Sequence, residues 1–476
     1  VIPLRLIDDT FEDNISLSGI QSNSKLIKNG NLFVAIDGNK NNGEDYIDEA
    51  VNKGAVAILT SNKRIKKENI PVIFNQNPRK KLSQLSKLFF PGSPDTICAV
   101  TGTNGKTSTV DFLYQIWELL GYNSATIGTL GVRSKNLNIN TSNTTPCPIT
   151  LHQILDKLAK LKVSNLALEV SSHAIDQYRI NSVDLESACF TNLSLDHMDY
   201  HKSIQEYSNT KFKLFNNILP FEKTPVIFTD NDEGVKFFEK LKKLNRNIFD
   251  IGINAEKLKI LSSENIATGH KVKILYNDKI FSFNFNLQAY FQISNALCAA
   301  GLAITSGANY KDVFSVIENI KPVCGRMNII ESKNNSKIII DYAHTPDALL
   351  SVLQYANSLS KNIILVFGCG GDRDVSKRKI MGEIAEKFSN KVIITNDNPR
   401  YEDPSNIAKM IQKGCPSAQI IFNRKEAIEY GLSEANSGDI FIIAGKGHES
   451  YQLEKGKKTY FSDMDVVKNF LENANG

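Results

Sequence analysis

The sequence predicts an α/β protein of three domains built on mostly parallel sheets, and three observations predict it. The chain has 476 residues, and at roughly 150 residues per domain that length suggests about three. Short runs rich in Val, Ile and Phe alternate with amphipathic stretches along the chain, the pattern of strands returned by helices. Two Pro- and Gly-bearing segments, FFPGSPDT at 89–96 and KPVCGRMN at 321–328, interrupt that alternation and read as hinges. The boundaries that follow are 1–92, 93–322 and 323–476.

The totals narrow the class. A hydrophobic content of 41% with 22% charged residues is ordinary for a globular chain. The net charge of +5 fits an enzyme that handles anions and is too small to argue for a nucleic-acid partner. The 7 cysteines are scattered without a CxxC pair, which reads as buried thiols in a reducing compartment and gives a cytoplasmic expectation. No apolar run approaches the ~18 residues of a membrane span. The opening VIPLRLIDDT has no basic stretch ahead of an apolar one, so a secretory signal is not expected.

In the first region, LFVAI, AVAIL and PVIF are short strands separated by helix-like stretches. The second opens on TICAVTGTNGKTST, an apolar strand, a Gly-rich turn and a helix expected over Ser108–Leu120. Main-chain N–H groups of such a turn and the helix start make an anion site. Gly102, Thr103, Asn104, Gly105 and Ser108 would line it, Lys106 would reach the β- and γ-phosphates of a nucleotide, and Thr107 would hold Mg²⁺. The general pattern wants Gly at the position of Val100. Next, NLALEV ends in Glu169, a carboxylate at a strand end, read as a Mg²⁺ ligand or a surface acid. Ser171, Ser172, His173, Gln177 and Arg179 follow it. ESACFTNLSLDHMDYH closes a further strand with Asp196, His197, Asp199 and His201; His197 reads as a metal ligand or as structural.

SIQE at 203–206 is a capping box for the next helix. At ~100° per residue, Ile204, Tyr207, Lys211, Leu214, Phe215 and Ile218 share one apolar stripe, with Lys211 in its middle. Burial favours a neutral amine, and a neutral amine can take up CO₂ as a carbamate. Snorkelling to solvent is the alternative that helix geometry favours. The lone Trp117 reads as core.

The third region repeats strand and helix through KIIID, NIILVFG, KVIIT, QIIF and DIFIIAG, a doubly wound pattern. If its sheet is parallel, GCGGDRD, TNDNPRYEDP and GKGHE all leave its carboxyl edge, where open sheets place ligands. Arg373, Asn398, Arg400 and Glu449 could then hold a zwitterion, guanidinium to carboxylate and carboxylate to ammonium. Two arginines and one acid suit an amino acid with a carboxylate at its far end, on a frame stiffened by Pro399. A solvated charged turn is the alternative. Lys377 and Arg378 read as solvated charges.

TGTNGKT, EVSSHAIDQYR, NLSLDHMDYH with YSNTK, and DNPR resemble, in that order and over nearly the whole chain, the motifs of the Mur ligase superfamily, which includes folylpolyglutamate synthetase. The resemblance is closest to members that add the third residue of the peptidoglycan stem peptide. It implies a uridine-nucleotide module, a central P-loop ATPase-like sheet and a C-terminal Rossmann-like domain. The implied reaction is an ATP-dependent, ADP-forming amide-bond synthesis. It joins meso-diaminopimelate to UDP-N-acetylmuramoyl-L-Ala-D-Glu through an acyl phosphate. It also implies a carbamylated Lys211 (N6-carboxylysine) with Thr107, Glu169 and His197 around two Mg²⁺ ions, and His173 near the reacting carboxylate.

For the remaining contacts the resemblance implies Ser24, Asn143, Thr144, Thr145, Ser171, Gln177 and Arg179 for the UDP-sugar-peptide. It implies Asn295, Arg326, Asp341 and His344 for ATP. Arg373, Asp397, Asn398, Pro399, Arg400, Gly445 and Glu449 would hold diaminopimelate, since DNPR marks its users and lysine users lack the Arg. Departures fall at Asn23 and Lys25, where the motif reads DSR, and at Ala99 and Ala289, where Gly is usual. Gln292 replaces Asn, and Asn328 replaces Glu. The implied partners are small molecules, for a monomer with no nucleic acid or membrane. L-lysine addition, folylpolyglutamate synthesis and a non-ligating nucleotide-binding scaffold are the alternatives.

Overall fold

The computed structural model describes residues 1–11, 15–38, 41–266, 268–332 and 334–473. The chain divides into two compact units. One comprises Val1–Thr101, Gly121–Ala188 and Thr210–Pro225; the other comprises Gly102–Leu120, Cys189–Asn209 and Val226–Gly476. Among the described residues, no helix is long and apolar enough to cross a membrane.

The first unit opens with a parallel sheet in the order Gly19–Gln21, Asn31–Val34, Ala55–Thr60, Val72–Phe74. Successive side chains on a strand face opposite ways. Leu32 and Val34 accordingly pack with Ala57, Leu59 and Leu82 on one face, and Phe33 and Ala35 with Ile58 and Ala50 on the other. A helix, Pro78–Phe89, closes the first of these cores. Asn77 caps it by accepting from the Lys80 amide, and proline stands in the first turn, where no N–H is needed. The same unit holds Thr96–Thr101 beside Asn165–Glu169, which pairs in parallel with Ser124–Gly128 as well. These strands are buried almost throughout, as the runs TICAV and NLALE predict.

In the second unit the helix after the glycine-rich turn runs Lys106–Leu119, starting two residues earlier than expected because Gly105 takes φ 85° and closes the turn at once. It packs on the helix Tyr290–Thr305. The expected parallel alternation breaks at Leu258–Ile266, Gly269–Tyr276 and Lys279–Phe285, which form an antiparallel meander. Its last hairpin turns on Asn277 and Asp278, both at positive φ, the turn that matches strand twist. A helix Ile204–Lys213, which begins in this unit and ends in residues of the first, continues as a π-helical turn, Leu214–Ile218. In the expected stripe Tyr207, Lys211, Leu214 and Phe215 are buried, whereas Ile204 is exposed at the helix start. The capping box forms with a shift. Ser203 Oγ accepts from the Glu206 amide at 3.1 Å, and Glu206 reaches back to the Lys202 amide at 2.9 Å, one residue beyond the cap itself.

The C-terminal sheet has the order Asn328–Glu331, Lys337–Asp341, Ile440–Ala444, Ile363–Phe367, Lys391–Ile394, Gln419–Ile420. Every pair is parallel except the first. Ile339, Leu365 and Ile442 pack beneath Leu349, Val352 and Met381 on one face. Ile340, Val366 and Ile443 pack beneath Ile428 and Val467 on the other. Burial on both faces is why these strands read as unbroken apolar runs. The cysteines are free thiols; Cys147 and Cys324 are exposed, against the expectation of burial, because they sit ahead of a helix and in a turn.

Candidate active site

Glycines make the phosphate loop possible by what they lack. A Cβ on Gly102 would lie 1.9 Å from Thr191 Oγ1, and one on Gly105 would lie 2.4 Å from Asn295 Oδ1. The loop is pinned to the segment after Ser187–Phe190: the Thr103 amide donates to Asn192 O and the Asn104 amide to Asn192 Oδ1, each at 2.9 Å. Thr103 Oγ1 accepts from the Ser194 amide at 3.0 Å and lies 3.1 Å from the Tyr207 hydroxyl. Lys106 Nζ folds over the loop and donates to Gly102 O and Thr103 O, both at 2.8 Å. Ser108 is buried in the first turn of the helix. Asn295, buried, accepts weakly from Thr109 Oγ1 at 3.5 Å.

The C-terminal strands bring further expected residues to this loop. Arg326 Nη2 donates to Thr107 Oγ1 at 3.2 Å, and its guanidinium lies 4.1 Å over the Tyr342 ring. Asp341 accepts from the Met327 and Ala343 amides, each at 2.7 Å. Burial raises its pKa, with Arg326 opposing. Asn104 joins the helix Pro346–Leu359 at its start, accepting from Thr345 Oγ1 and donating to Asp347 Oδ2, both at 3.2 Å.

Asp196 sits between three basic side chains. Lys377 Nζ is 3.1 Å away, His197 Nε2 3.6 Å and His344 Nε2 3.8 Å. Burial alone would raise the Asp196 pKa, but Lys377 and the two imidazoles hold it well below the usual range. Burial and the Lys377 charge push His344 down to about 4, so its ring is neutral near pH 7. The expectation that Lys377 and Arg378 are solvated is overturned. Both are buried, because each finds an acid inside the fold: Lys377 meets Asp196, and Arg378 grips both oxygens of Glu402, at 2.8 and 3.0 Å.

At the carboxyl edge of the C-terminal sheet, the loops after Phe367, Ile394 and Ala444 converge as their parallel strands require. Asn398 Nδ2 donates to Glu449 Oε2 at 2.8 Å. Asn398 Oδ1 accepts from the Leu453 amide at 2.9 Å and from Lys446 Nζ at 3.3 Å. Asp397 Oδ1 accepts from the Asn398 amide at 2.7 Å, and a Cβ on Gly445, at φ 111°, would lie 2.8 Å from Asp397 Oδ2. Arg400 has φ 54° and donates from Nη1 to Gly371 O at 2.7 Å. The Pro399 carbonyl leaves no room for a side chain at Gly371, whose Cβ would come within 2.0 Å of it. Arg373 is exposed beside this group. Burial raises the Tyr451 pKa, with Glu449 and Asp397 adding and Arg400 and Arg373 opposing, so the four charges reach one hydroxyl.

The two acids that end TNDNPRYEDP are structural: Glu402 takes Arg378, and Asp403 caps the helix Pro404–Gln412. Behind the loops Arg424, buried, pairs with Asp463 through Nε and Nη2 at 2.7 and 2.8 Å and donates to Ala444 O. Sequence reasoning missed Lys446 and Arg424. The i, i+3 spacing of Lys446 and Glu449 was a usable signal for the first; Arg424 and Asp463 lie 39 residues apart and carried none.

In the first unit Glu169 is buried at the end of its strand, accepting from the Thr129 amide at 2.9 Å and from Thr129 Oγ1 at 3.1 Å. Thr129 Oγ1 lies 3.2 Å from Thr144 Oγ1, and Thr145 Oγ1 donates to Glu169 O at 2.8 Å. The Ser171 amide donates back to Thr145 Oγ1, and Arg179 Nη1 donates to Thr145 O at 2.7 Å. Gln177 Oε1 accepts from Arg179 Nη2 at 2.8 Å. Thr144, Thr145, Ser171, Gln177 and Arg179 thus form one network with Glu169; Thr145 is its hub, and Thr129, unpredicted, ties Thr144 to Glu169. His173 lies half-buried on the short helix that Ser171 caps. Asn143 is exposed, and Ser24 lies apart, donating to Glu49 Oε2 at 2.8 Å. Lys211 is buried in this unit.

Two of the departures have local roles, and a third is strained. Asn23 accepts from the Lys25 amide and caps a short turn. Asn328 Oδ1 accepts from the Gly325 amide at 2.5 Å and closes the 323–328 turn. Ala289 is held at φ 66°, which favours the usual glycine.

Three family descriptions match the chain in order. "Mur ligase family, catalytic domain" covers residues 16–90, "Mur ligase middle domain" 100–303, and "Mur ligase, glutamate ligase domain" 325–447. The UDP-N-acetylmuramoyl-L-alanyl-D-glutamate–2,6-diaminopimelate ligase of Rhizobium meliloti (strain 1021) is 38% identical over 459 residues, 96% of this chain and 94% of that protein. The protein of the same name from Rickettsia bellii (strain RML369-C) is 38% identical over 470 residues, 96% of this chain and 97% of that one. A solved structure, also of that name, aligns with TM-score 0.70 at 28% identity, covering 100% of this chain and 99% of its own. Folylpolyglutamate synthase from Mycobacterium tuberculosis shares the fold, at TM-score 0.62 and 15% identity over 77% of this chain and 92% of its own. Identity at this level from end to end, with three domain matches in their expected order, has one meaning: the chain belongs to the Mur ligase family.

Proposed function

We propose that the protein is an ATP-dependent, ADP-forming ligase that adds meso-diaminopimelate to UDP-N-acetylmuramoyl-L-Ala-D-Glu. The observation that carries the amino-acid assignment is the convergence of DNPR and GKGHE at one sheet edge, with Asn398 Nδ2 on Glu449 Oε2 at 2.8 Å and Arg400 beside them. Arg400 and Arg373 take the distal carboxylate, Glu449 takes the distal ammonium, and Asp397, Pro399 and Gly445 hold that frame. A lysine side chain would offer Arg400 no carboxylate, which disfavours it.

The γ-carboxylate of the D-Glu attacks the γ-phosphorus of ATP, breaking the bond to ADP and forming an acyl phosphate. The amine at the L-centre of diaminopimelate attacks the acyl carbon. The tetrahedral adduct then expels phosphate and the nitrogen loses a proton. The main-chain amides of the Gly102–Thr107 loop and Lys106 steady the phosphates, with Asn295, Arg326, Asp341 and His344 on the nucleotide side. Asn143, Thr144, Thr145, Ser171, Gln177 and Arg179 orient the peptide end of the UDP-substrate, with His173 near its carboxylate and Ser24 on the uridine side. The chain's domains are 1–92 for the UDP-substrate, 93–322 for ATP and 323–476 for the amino acid.

Magnesium, which the family uses, would offset phosphate charge. Hydroxyl, carboxylate and carbamate oxygens suit such a hard cation, and the motifs single out Thr107, Glu169, His197 and a carbamylated Lys211 to hold two ions. The complete burial of Lys211 supports the carbamate, because an amine without water to charge it is the form that takes CO₂. The test is a competition. ATP, the UDP-dipeptide and equal meso-diaminopimelate and L-lysine are supplied together, and the product is weighed by mass spectrometry. Only the diaminopimelate tripeptide is expected; a lysine product would overturn the assignment.

A further inference from the structure

Lys446, at the amino-acid edge, is a charge with no exposed surface. Its Nζ donates to Glu449 Oε2 at 2.8 Å and to Asn398 Oδ1 at 3.3 Å, and it lies 5.5 Å from the centre of the Tyr451 ring. Asn398 Nδ2 occupies the same Oε2. Among the described residues, Glu449 Oε1 takes no hydrogen bond. One oxygen of the acid is therefore committed to the scaffold, and the other remains to meet a ligand. Arg373 and Arg400 act with Glu449 and Asp397 on the neighbouring Tyr451 hydroxyl, and Lys446 adds a cation paired with Glu449 itself.

Resting on the reading of this edge as the amino-acid site, we propose that Lys446 is a specificity-determining positioning residue. It fixes Glu449 and Asn398 in one orientation and offsets the Glu449 charge. The pocket then accepts an ammonium only when a carboxylate accompanies it. A lone amine finds an acid already half-neutralised and brings no carboxylate for the arginines beside it. Without Lys446, Glu449 becomes an uncompensated anion, free to rotate and attractive to a bare ammonium.

Phosphate release with saturating ATP and UDP-dipeptide is measured for Lys446→Met against varied meso-diaminopimelate and L-lysine. KM for diaminopimelate should rise about tenfold with kcat and the KM for ATP held. The ratio of kcat/KM for diaminopimelate over lysine should fall about tenfold or more, about 1.4 kcal/mol of discrimination. Lys446→Arg should restore the ratio. A ratio unchanged in Lys446→Met, with both substrates slowed equally, would overturn the proposal. If that variant does not fold, the double variant Lys446→Met/Glu449→Gln, which leaves neither charge unpaired, is compared with Glu449→Gln alone. The double variant should bind diaminopimelate at least as well, and a further tenfold loss overturns the proposal. An unaltered enzyme inactive with diaminopimelate would instead sink the reading of the site itself.

Discussion

Two anion-facing regions of the second unit are built in opposite ways. The phosphate loop works through main chain. Gly102 and Gly105 leave space that any Cβ would fill, and Asn192 holds the Thr103 and Asn104 amides in place. The amino-acid edge works through side chains, and its buried cations are each paired with an acid. Arg378 sits on Glu402, Lys446 on Glu449, and Arg424 on Asp463 behind them both. A backbone site is preorganised by omission and recognises any phosphate. A side-chain site must bring charges out of water in matched pairs, since one left alone costs several kcal/mol. What it gains is geometry that can tell one amino acid from another. On the proposed reading, phosphate binding is thus placed on backbone, and selectivity on paired side chains.

That contrast can be broken at three points. Lys106→Met removes the one side-chain charge the loop contributes, and phosphate release should fall about a thousandfold, the scale of losing a key electrostatic group, with every amino acid alike. A fall confined to diaminopimelate would erase the distinction between the two regions. Arg400→Ala should act in the complementary way, raising KM for diaminopimelate by about 30-fold, roughly 2 kcal/mol for a truncated charge pair, while KM for ATP stays fixed in the same initial-rate assay. The smallest effect is expected at Ala289, whose φ of 66° strains the start of the helix Tyr290–Thr305. Ala289→Gly relieves about 1–3 kcal/mol of strain and gives up about 0.8 kcal/mol of methyl burial and some chain entropy. Thermal unfolding should show a net gain of about 0.5 kcal/mol, with both KM values unchanged.

The same contrast explains what was legible in the sequence. TICAVTGTNGKT is a local signal, because a strand, a glycine turn and a helix lie within a dozen or so residues and the chemistry belongs to the turn. The C-terminal strands were legible for a similar reason, since burial on both faces leaves unbroken apolar runs such as KIIID and DIFIIAG. Arg378 was misread because its partner Glu402 lies 24 residues on, across a helix and a strand. The paired state of Asn398 and Glu449, 51 residues apart, depends on which strands become neighbours, and no local pattern reports that. The antiparallel meander at 258–285 was missed because its strands alternate buried and exposed residues and so lack the unbroken apolar runs read elsewhere, although Asn277-Asp278 marked its turn. Ala289 shows the converse: a one-residue departure from a family pattern became interpretable only when its φ was known.

The claim that the C-terminal loops read the amino acid is tested most directly by phosphate release with ATP, Mg²⁺ and UDP-N-acetylmuramoyl-L-Ala-D-Glu, adding meso-diaminopimelate or L-lysine in turn. Release is expected with diaminopimelate alone. Release with lysine at comparable kcat/KM would contradict it, leaving a ligase whose Arg400 and Glu449 do not select its substrate.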